Sequence, residues 1–144
     1  MKRIAILFLL LFLLPACSNG IDKEKVQEYA DPMIENILQG MNEDNYEKFS
    51  KDFGPIMLDA LNAENYDGII KKQIKEIIGN YESKELAKVD KVSQGDEDYI
   101  VVIYKATFSK ETSDVAVTVY FTEGEDPKIE TLLFNSPKLV ENAS

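Results

Sequence analysis

The sequence contains no histidine and only one cysteine, Cys17. The lack of histidine excludes every site that pairs serine or cysteine with an imidazole base, and every metal site with an imidazole ligand. With one cysteine there is no intrachain disulfide, so packing must stabilise the fold. We therefore expect no cofactor, no metal and no enzymatic activity. Catalysis by lysine or by a carboxylate pair stays open, because a sequence does not show which carboxylates lie in a dry pocket.

Basic residues are also scarce, with 16 Lys and Arg against 26 Asp and Glu. Without residues 1–16 the chain would keep 14 basic and 26 acidic residues, a net charge of −12. Such a surface repels nucleic acid and anionic lipid head groups. We expect no nucleic-acid partner, and a protein or envelope partner would be met through its own basic patch. The oligomeric state is not predicted.

A single long apolar run, from Ile4 to Leu14, follows the positively charged Lys2 and Arg3. As a helix this run would reach only about 16 Å at 1.5 Å per residue, against about 30 Å of hydrocarbon in a bilayer. It is too short for a membrane span, and its layout is typical of a secretory signal peptide.

The end of this run, Leu14-Pro15-Ala16-Cys17, resembles the bacterial and archaeal lipobox. The resemblance implies cleavage before Cys17 and a thioether-linked diacylglyceryl group on its sulfur, with durable anchoring by two or more acyl chains. The alternative is a buried free cysteine behind an ordinary signal peptide. We expect a signal peptide over residues 1–16, a lipidated tether over 17–22 and one domain over 23–140. The protein would be secreted and anchored to the outer face of the cytoplasmic membrane, or to an outer membrane where the host has one.

The first half of the domain shows helical periodicity. Apolar residues recur every three or four positions from Val26 to Met41, which predicts a helix that is kinked at Pro32 rather than split in two. Gly40 is expected at its left-handed C-terminal position, and Asn42 as the N-cap of a second helix. The apolar side of that second helix would carry Tyr46, Phe49 and Phe53.

Two further helical segments are predicted before the sheet. Residues 56–60 suit one helical turn after the Gly54-Pro55 stop. Asn62 is expected to cap a third helix that ends at Ile78, before Gly79.

From Tyr81 onward the pattern alternates, as in strands with one buried face. The clearest strand places Ile100, Val102, Tyr104, Ala106 and Phe108 on one side, and others follow at 115–122 and 129–134. Residues 81–93 break the alternation, which favours an edge strand with a bulge. We predict an α+β fold, with N-terminal helices over residues 23–78 packed on one face of a curved antiparallel sheet of about four strands over 81–137.

Two segments, ADPMIENILQGMNEDNYEKFSKDFG and KEIIGNYESKE, resemble an uncharacterised family of secreted and lipoprotein domains of unknown function. The likeness extends from about Val26 to Leu139. It implies a cone-shaped fold like that of nuclear transport factor two or the cystatins, similar to pocket-bearing folds that include ketosteroid isomerase and scytalone dehydratase. The shared residues are framework positions and contain no catalytic motif.

Aromatic residues supply the candidate binding site. They could line a cavity between helices and sheet, or they could simply fill the core. The candidates are Phe49, Phe53, Tyr66, Tyr104 and Phe121. The acidic turns at 96–98 and 123–126 lack the spacing of an EF-hand loop and are interpreted as solvated hairpin turns. We expect a non-catalytic binding or accessory domain, or alternatively a binder of a small apolar ligand in the cone.

Overall fold

The computed structural model describes residues 20–144. Helices precede strands, which confirms the α+β fold class. The predicted signal peptide, the lipobox and Cys17 lie outside the described residues. In chain order the elements are α1 (Lys23–Asn42), α2 (Tyr46–Phe49), α3 (Pro55–Ala60), a π-helix (Asp67–Lys75), α4 (Glu76–Ile78), β1 (Tyr81–Gln94), β2 (Glu97–Phe108), β3 (Val115–Thr122), β4 (Ile129–Asn135) and α5 (Pro137–Asn142).

The four strands form one antiparallel sheet in the order β1-β2-β3-β4. The predicted alternation is confirmed, because all of the inward residues of β2 and β3 are buried. They are Ile100, Val102, Tyr104, Ala106, Phe108, Val115, Val117, Val119 and Phe121. The bulge in β1 is also confirmed, since the register shifts between Leu86 and Lys88 and leaves Ala87 unpaired. β1 and β4 are the edge strands.

α1 is one continuous helix through Pro32, so the prediction of one helix rather than two is confirmed. Asp22 caps its start, accepting hydrogen bonds from the backbone N–H groups of Glu24 and Lys25 at 3.2 and 3.3 Å. Pro32 lies on the exposed side, where the hydrogen bond that it cannot donate is replaced most easily by water. The opposite side is buried and faces the sheet.

Two predictions at the end of α1 are wrong. Gly40 lies inside the helix, where its missing side chain lets α2 approach: a Cβ there would lie 2.6 Å from the backbone nitrogen of Phe49. Asn42 does not cap α2, because Asn45 does, accepting from the Lys48 N–H at 3.1 Å. The Asn42 amide instead pairs with both backbone groups of Tyr81, at 2.8 Å each, and so joins α1 to β1.

The remaining helices differ from expectation mainly at their ends. α2 stops at Phe49, so Phe53 lies beyond it. The Asn62 side chain accepts from the N–H groups of Glu64 and Asn65, at 3.0 and 3.1 Å, but these belong to a turn and the regular helix begins later. Most of that helix is a π-helix, which simple periodicity does not predict. α5 was not predicted, although Ser136 and Pro137 form an ordinary capped start.

The segment between α2 and α3 runs along the outer edge of β4. The Gly54 N–H donates to the Ile129 carbonyl at 2.8 Å, and the Ile129 N–H donates to the Asp52 carbonyl at 2.9 Å. Phe53 and Ile129 thereby form a short parallel bridge. This contact places α3 beside β4. Within residues 20–144, no helix combines the length and the apolar character that a membrane crossing requires.

Candidate functional site

The five aromatic candidates all lie in the hydrophobic core. Phe49 contacts Phe53 and Tyr66 edge to face, with ring centroids 5.2 and 4.9 Å apart. Phe121 packs in the same manner on Tyr29, at 5.2 Å. Tyr104 and the other four are at most 5% exposed. The structure thus brings Phe53 and Tyr66 into contact with Phe49, whereas Tyr104 and Phe121 lie on the sheet.

An apolar groove lies beside this core, between α3, the π-helix and β4. Its volume is about 530 Å³, within the range of about 300–1,000 Å³ that is usual for small-molecule sites. We call it the apolar groove. Its lining residues are Ile56, Met57, Ala60, Leu61, Ile69, Ile70, Ile74, Glu130, Thr131, Leu132, Leu133 and Phe134.

Strand alternation accounts for the sheet side of the apolar groove. Leu132 and Phe134 pair across the strands with the buried Val119 and Val117, so they point to the helical face of the sheet. Within residues 20–144, β4 is an edge strand, so no neighbouring strand flanks these two side chains on its outer side. Leu133 stands on the other face of β4 and is 53% exposed.

The helical side of the apolar groove comes from two short elements. The π-helix contributes Ile69, Ile70 and Ile74, and α3 contributes Met57 among others. Ile56, next to Met57, is 60% exposed at the rim. Large apolar side chains therefore meet solvent on both α3 and β4.

Glu130 is the one charged residue among those that line the apolar groove. The register of β3 and β4 shifts at Tyr120, which leaves Glu130 as the extra residue of a bulge in β4. The bulge turns this side chain inward, and only 8% of the residue is exposed. Its Oε2 accepts from the Met57 N–H at 3.1 Å, and a side chain on Gly54 would overlap the carboxylate.

A second cluster of polar residues joins α1 to the sheet. Glu35 pairs with Lys84 at 2.7 Å and accepts the Tyr81 hydroxyl at 2.9 Å, while the Tyr104 hydroxyl donates to Asp31. The Lys84 ammonium lies 5.6 Å from the centre of the Tyr104 ring. We call these five residues the α1 latch.

The pKa shifts and hydrogen bonds of the α1 latch indicate a structural role. Burial raises the pKa values of Tyr81 and Tyr104, and the carboxylates that accept their protons raise them further. Both hydroxyls therefore stay protonated at neutral pH. Each donor of the latch is already paired with an acceptor inside it, so the cluster holds α1 on the sheet and offers little to a ligand.

A third region is a polar pocket of about 310 Å³ that carries Lys71, Lys75 and Lys110. Lys71 pairs with Asp67 at 3.0 Å, and Lys75 pairs with Asp44 at 2.8 Å. The Lys110 ammonium donates to the Glu76 carbonyl at 3.3 Å. Each of the three lysine ammonium groups in the pocket therefore already has an ion-pair or hydrogen-bond partner.

The acidic turns are held together by a lysine. Lys91 pairs with Asp98 of one turn at 3.6 Å and with Glu123 of the other at 2.9 Å. In the part of the chain that the structure describes, no three Cys, Asp or Glu residues are grouped as they would need to be to hold a metal ion.

The residues that define the apolar groove were missed in the sequence. The sequence predicts a helical turn at Ile56 and a strand over 129–134, but it gives no sign that the two meet. One feature in the sequence hints at this site, since Glu130 interrupts an otherwise apolar strand start.

Comparison with known proteins places this domain in a family. No curated protein and no solved structure matches the chain. A family model matches residues 35–132, more than half of the chain, from the middle of α1 into β4. This range includes most of the lining of the apolar groove. The chain therefore belongs to the family described as "Protein of unknown function (DUF3887)".

Proposed function

We propose that this protein is a membrane-anchored extracytoplasmic lipoprotein whose domain binds, without chemical turnover, the apolar part of a small ligand in the apolar groove. The observation that carries the proposal is the groove itself, an uncovered apolar surface at the β4 edge. Ile56 and Leu133, at 60% and 53% exposure, border it from opposite sides. A ligand that covers these side chains removes apolar surface from water, which is favourable by about 25 cal/mol per Å².

The fold is consistent with this use. Helices lie on one face of a curved antiparallel sheet, as in the cone-shaped folds related to nuclear transport factor two. We propose that the domain is of this kind and that the apolar groove is the mouth of its cone. Sites of this sort are mostly apolar and have few polar groups, a description that fits Glu130 and Thr131 among apolar neighbours.

The anchor would determine where the ligand is met. Cys17 precedes the start of α1 at Lys23 by a six-residue tether, residues 17–22. A fully extended tether of this length reaches roughly 20 Å. A domain lipidated at Cys17 would thus stay close to the membrane surface, where apolar molecules concentrate.

Nile red, a neutral apolar dye, tests the groove. Ile56→Glu places a charge at the rim, and Leu58→Glu places the same charge on the same helix at an exposed residue outside the lining. We expect saturable binding to the wild type and to Leu58→Glu, and binding at least about tenfold weaker to Ile56→Glu. Equal binding to all three proteins, or no saturable binding to the wild type, would overturn the proposal.

A second candidate is a protein or envelope partner, favoured by the net charge of −12 after residues 1–16 are removed. Such a partner would present a basic patch and would associate faster at low salt. Native mass spectrometry of the protein extracted from its own host separates the two candidates. A bound mass of a few hundred daltons supports the apolar groove, whereas a second chain that dissociates at high salt supports the partner.

A further inference from the structure

Glu130 is a charged residue with unused hydrogen-bonding capacity inside an apolar site. A carboxylate offers about four acceptor positions. Among the residues that the structure describes, only the Met57 N–H occupies one of them, and Glu130 makes no ion pair. A carboxylate taken out of water is costly unless it is paired. The charged residue of the groove lining therefore lacks a partner of opposite charge among the described residues.

The structural contact of Glu130 uses only one of its two carboxylate oxygens. Its hydrogen bond to the Met57 N–H supports the start of α3, which Gly54 cannot cap because it has no side chain. The negative charge strengthens this hydrogen bond and suits the start of a helix, where backbone N–H groups are unpaired. The other oxygen, Oε1, accepts no hydrogen bond among the residues that the structure describes, so it can accept one from a cationic group in the groove.

We infer that the ligand of the apolar groove is an apolar molecule that carries a protonated amine, whose N–H groups donate to the Glu130 carboxylate while its hydrocarbon part covers the leucine and isoleucine side chains. This inference rests on the proposed function and adds the chemical class of the ligand. Glu130 would be a specificity-determining residue, because a neutral or anionic ligand would leave the carboxylate unpaired. The position of the charge among otherwise apolar lining residues supports one amine on one hydrocarbon body.

Three ten-carbon probes separate charge from hydrocarbon: decylamine, decanol and decanoate, each used below the concentration at which it aggregates. We expect the wild type to bind decylamine at least about tenfold more tightly than decanol, because the ammonium group adds a charged hydrogen bond to Glu130. Decanoate should bind most weakly, because its carboxylate repels that of Glu130. This order needs no variant and therefore does not depend on whether a substituted protein folds.

Glu130→Gln tests the residue itself, since it removes the charge and keeps an acceptor for Met57. Its matched control is Glu82→Gln, the same change at an exposed residue of β1, at the opposite edge of the sheet. We expect Glu130→Gln to lose the preference for decylamine while binding decanol as before, and Glu82→Gln to keep it. An unchanged preference in Glu130→Gln, or equal binding of decylamine and decanol by the wild type, overturns the inference and leaves the groove proposal standing. Failure of all three probes to bind would overturn both.

Discussion

Glu35 on α1 and Lys84 on β1 form an ion pair in which 2.7 Å separates Oε2 from Nζ, although the two residues are 49 positions apart in the chain. The Lys84 side chain is only 13% exposed, whereas that of Glu35 is 40% exposed. The pair therefore lies at the margin of the interface between α1 and the sheet. It holds the first helix of the domain on its first strand.

This contact predicts a pH-dependent contribution to stability. Burial by itself would raise the pKa of Glu35, but hydrogen bonds from Lys84, Gln39 and Tyr81 outweigh it and hold the pKa below its ordinary value. A lowered pKa means that the folded state favours the ionised form. Its contribution is present above the unfolded pKa of about 4.3 and is lost as the pH falls through the lower, folded value.

Glu35→Gln measures that contribution. We expect the variant to lose about 1 kcal/mol or less at pH 7, since Glu35 is partly exposed and solvent screens the pair. The difference from the wild type should shrink as the pH falls below about 4. Urea denaturation at several pH values checks this, with Glu82→Gln as the control for a lost charge on β1. A difference that stays constant with pH would contradict the prediction.

Two buried tyrosines should respond in opposite ways to loss of their hydroxyl groups. Tyr104 donates to Asp31, whereas the buried Tyr66 hydroxyl has no hydrogen-bond partner among the described residues. Burial, with the charges of Asp44 and Asp67, raises the pKa of Tyr66 to about 12, so the hydroxyl remains a neutral donor without an acceptor.

We therefore expect Tyr104→Phe to lower the free energy of unfolding by about 1 kcal/mol, and Tyr66→Phe to leave it unchanged or raise it slightly. Both changes remove one oxygen atom from a buried ring, so each is the control for the other. Urea denaturation of the two variants gives the comparison. A greater loss for Tyr66→Phe than for Tyr104→Phe would mean that the Tyr66 hydroxyl has a partner in solution.

Two glycines allow the effect of close packing to be compared with the effect of backbone flexibility on stability. At Gly40 an added Cβ would lie 2.6 Å from the Phe49 backbone nitrogen, but at Gly68, in the π-helix, nothing lies within 4 Å of it. We expect Gly40→Ala to destabilise the fold by about 1–3 kcal/mol through overpacking. Gly68→Ala should stabilise it by roughly 0.5–1 kcal/mol, because alanine restricts the unfolded chain. Thermal unfolding measures both, and a stabilised Gly40→Ala would refute the close approach of α2 to α1.

Lipid attachment to Cys17 is tested in the host. Labelled fatty acid should be incorporated into the wild type and not into Cys17→Ser, because the sulfur is the attachment atom in a thioether linkage. The variant should also leave the membrane fraction, while its domain keeps the thermal unfolding of the wild type. Label and membrane association that persist in Cys17→Ser would exclude Cys17 as the anchor.

Local patterns in the sequence were sufficient to predict where the strands lie and which of their faces is buried. The alternation in 99–108 and 115–122 correctly predicts that the inward side chains of β2 and β3 are buried, since a strand has a period of two and one face meets the helices. Val101 is an exception, because it stands on the other face and is only 6% exposed. The broken alternation near Ala87 correctly predicts the bulge. The turns that connect the strands are too short for a crossover connection, so an antiparallel arrangement was expected.

The ends of the helices and the apolar groove depended on contacts between distant parts of the chain. Gly40 looked like a helix terminus but is small because Phe49 packs on it, and Asn42 looked like a cap but pairs with Tyr81. No local pattern indicated that Glu130 turns inward at the β4 bulge and contacts Met57, 73 positions away. The chain by itself determined fold class and strand faces, because periodicity is a local property. Only the tertiary structure decided the groove and its single charge, because these arise where α3, the π-helix and β4 meet.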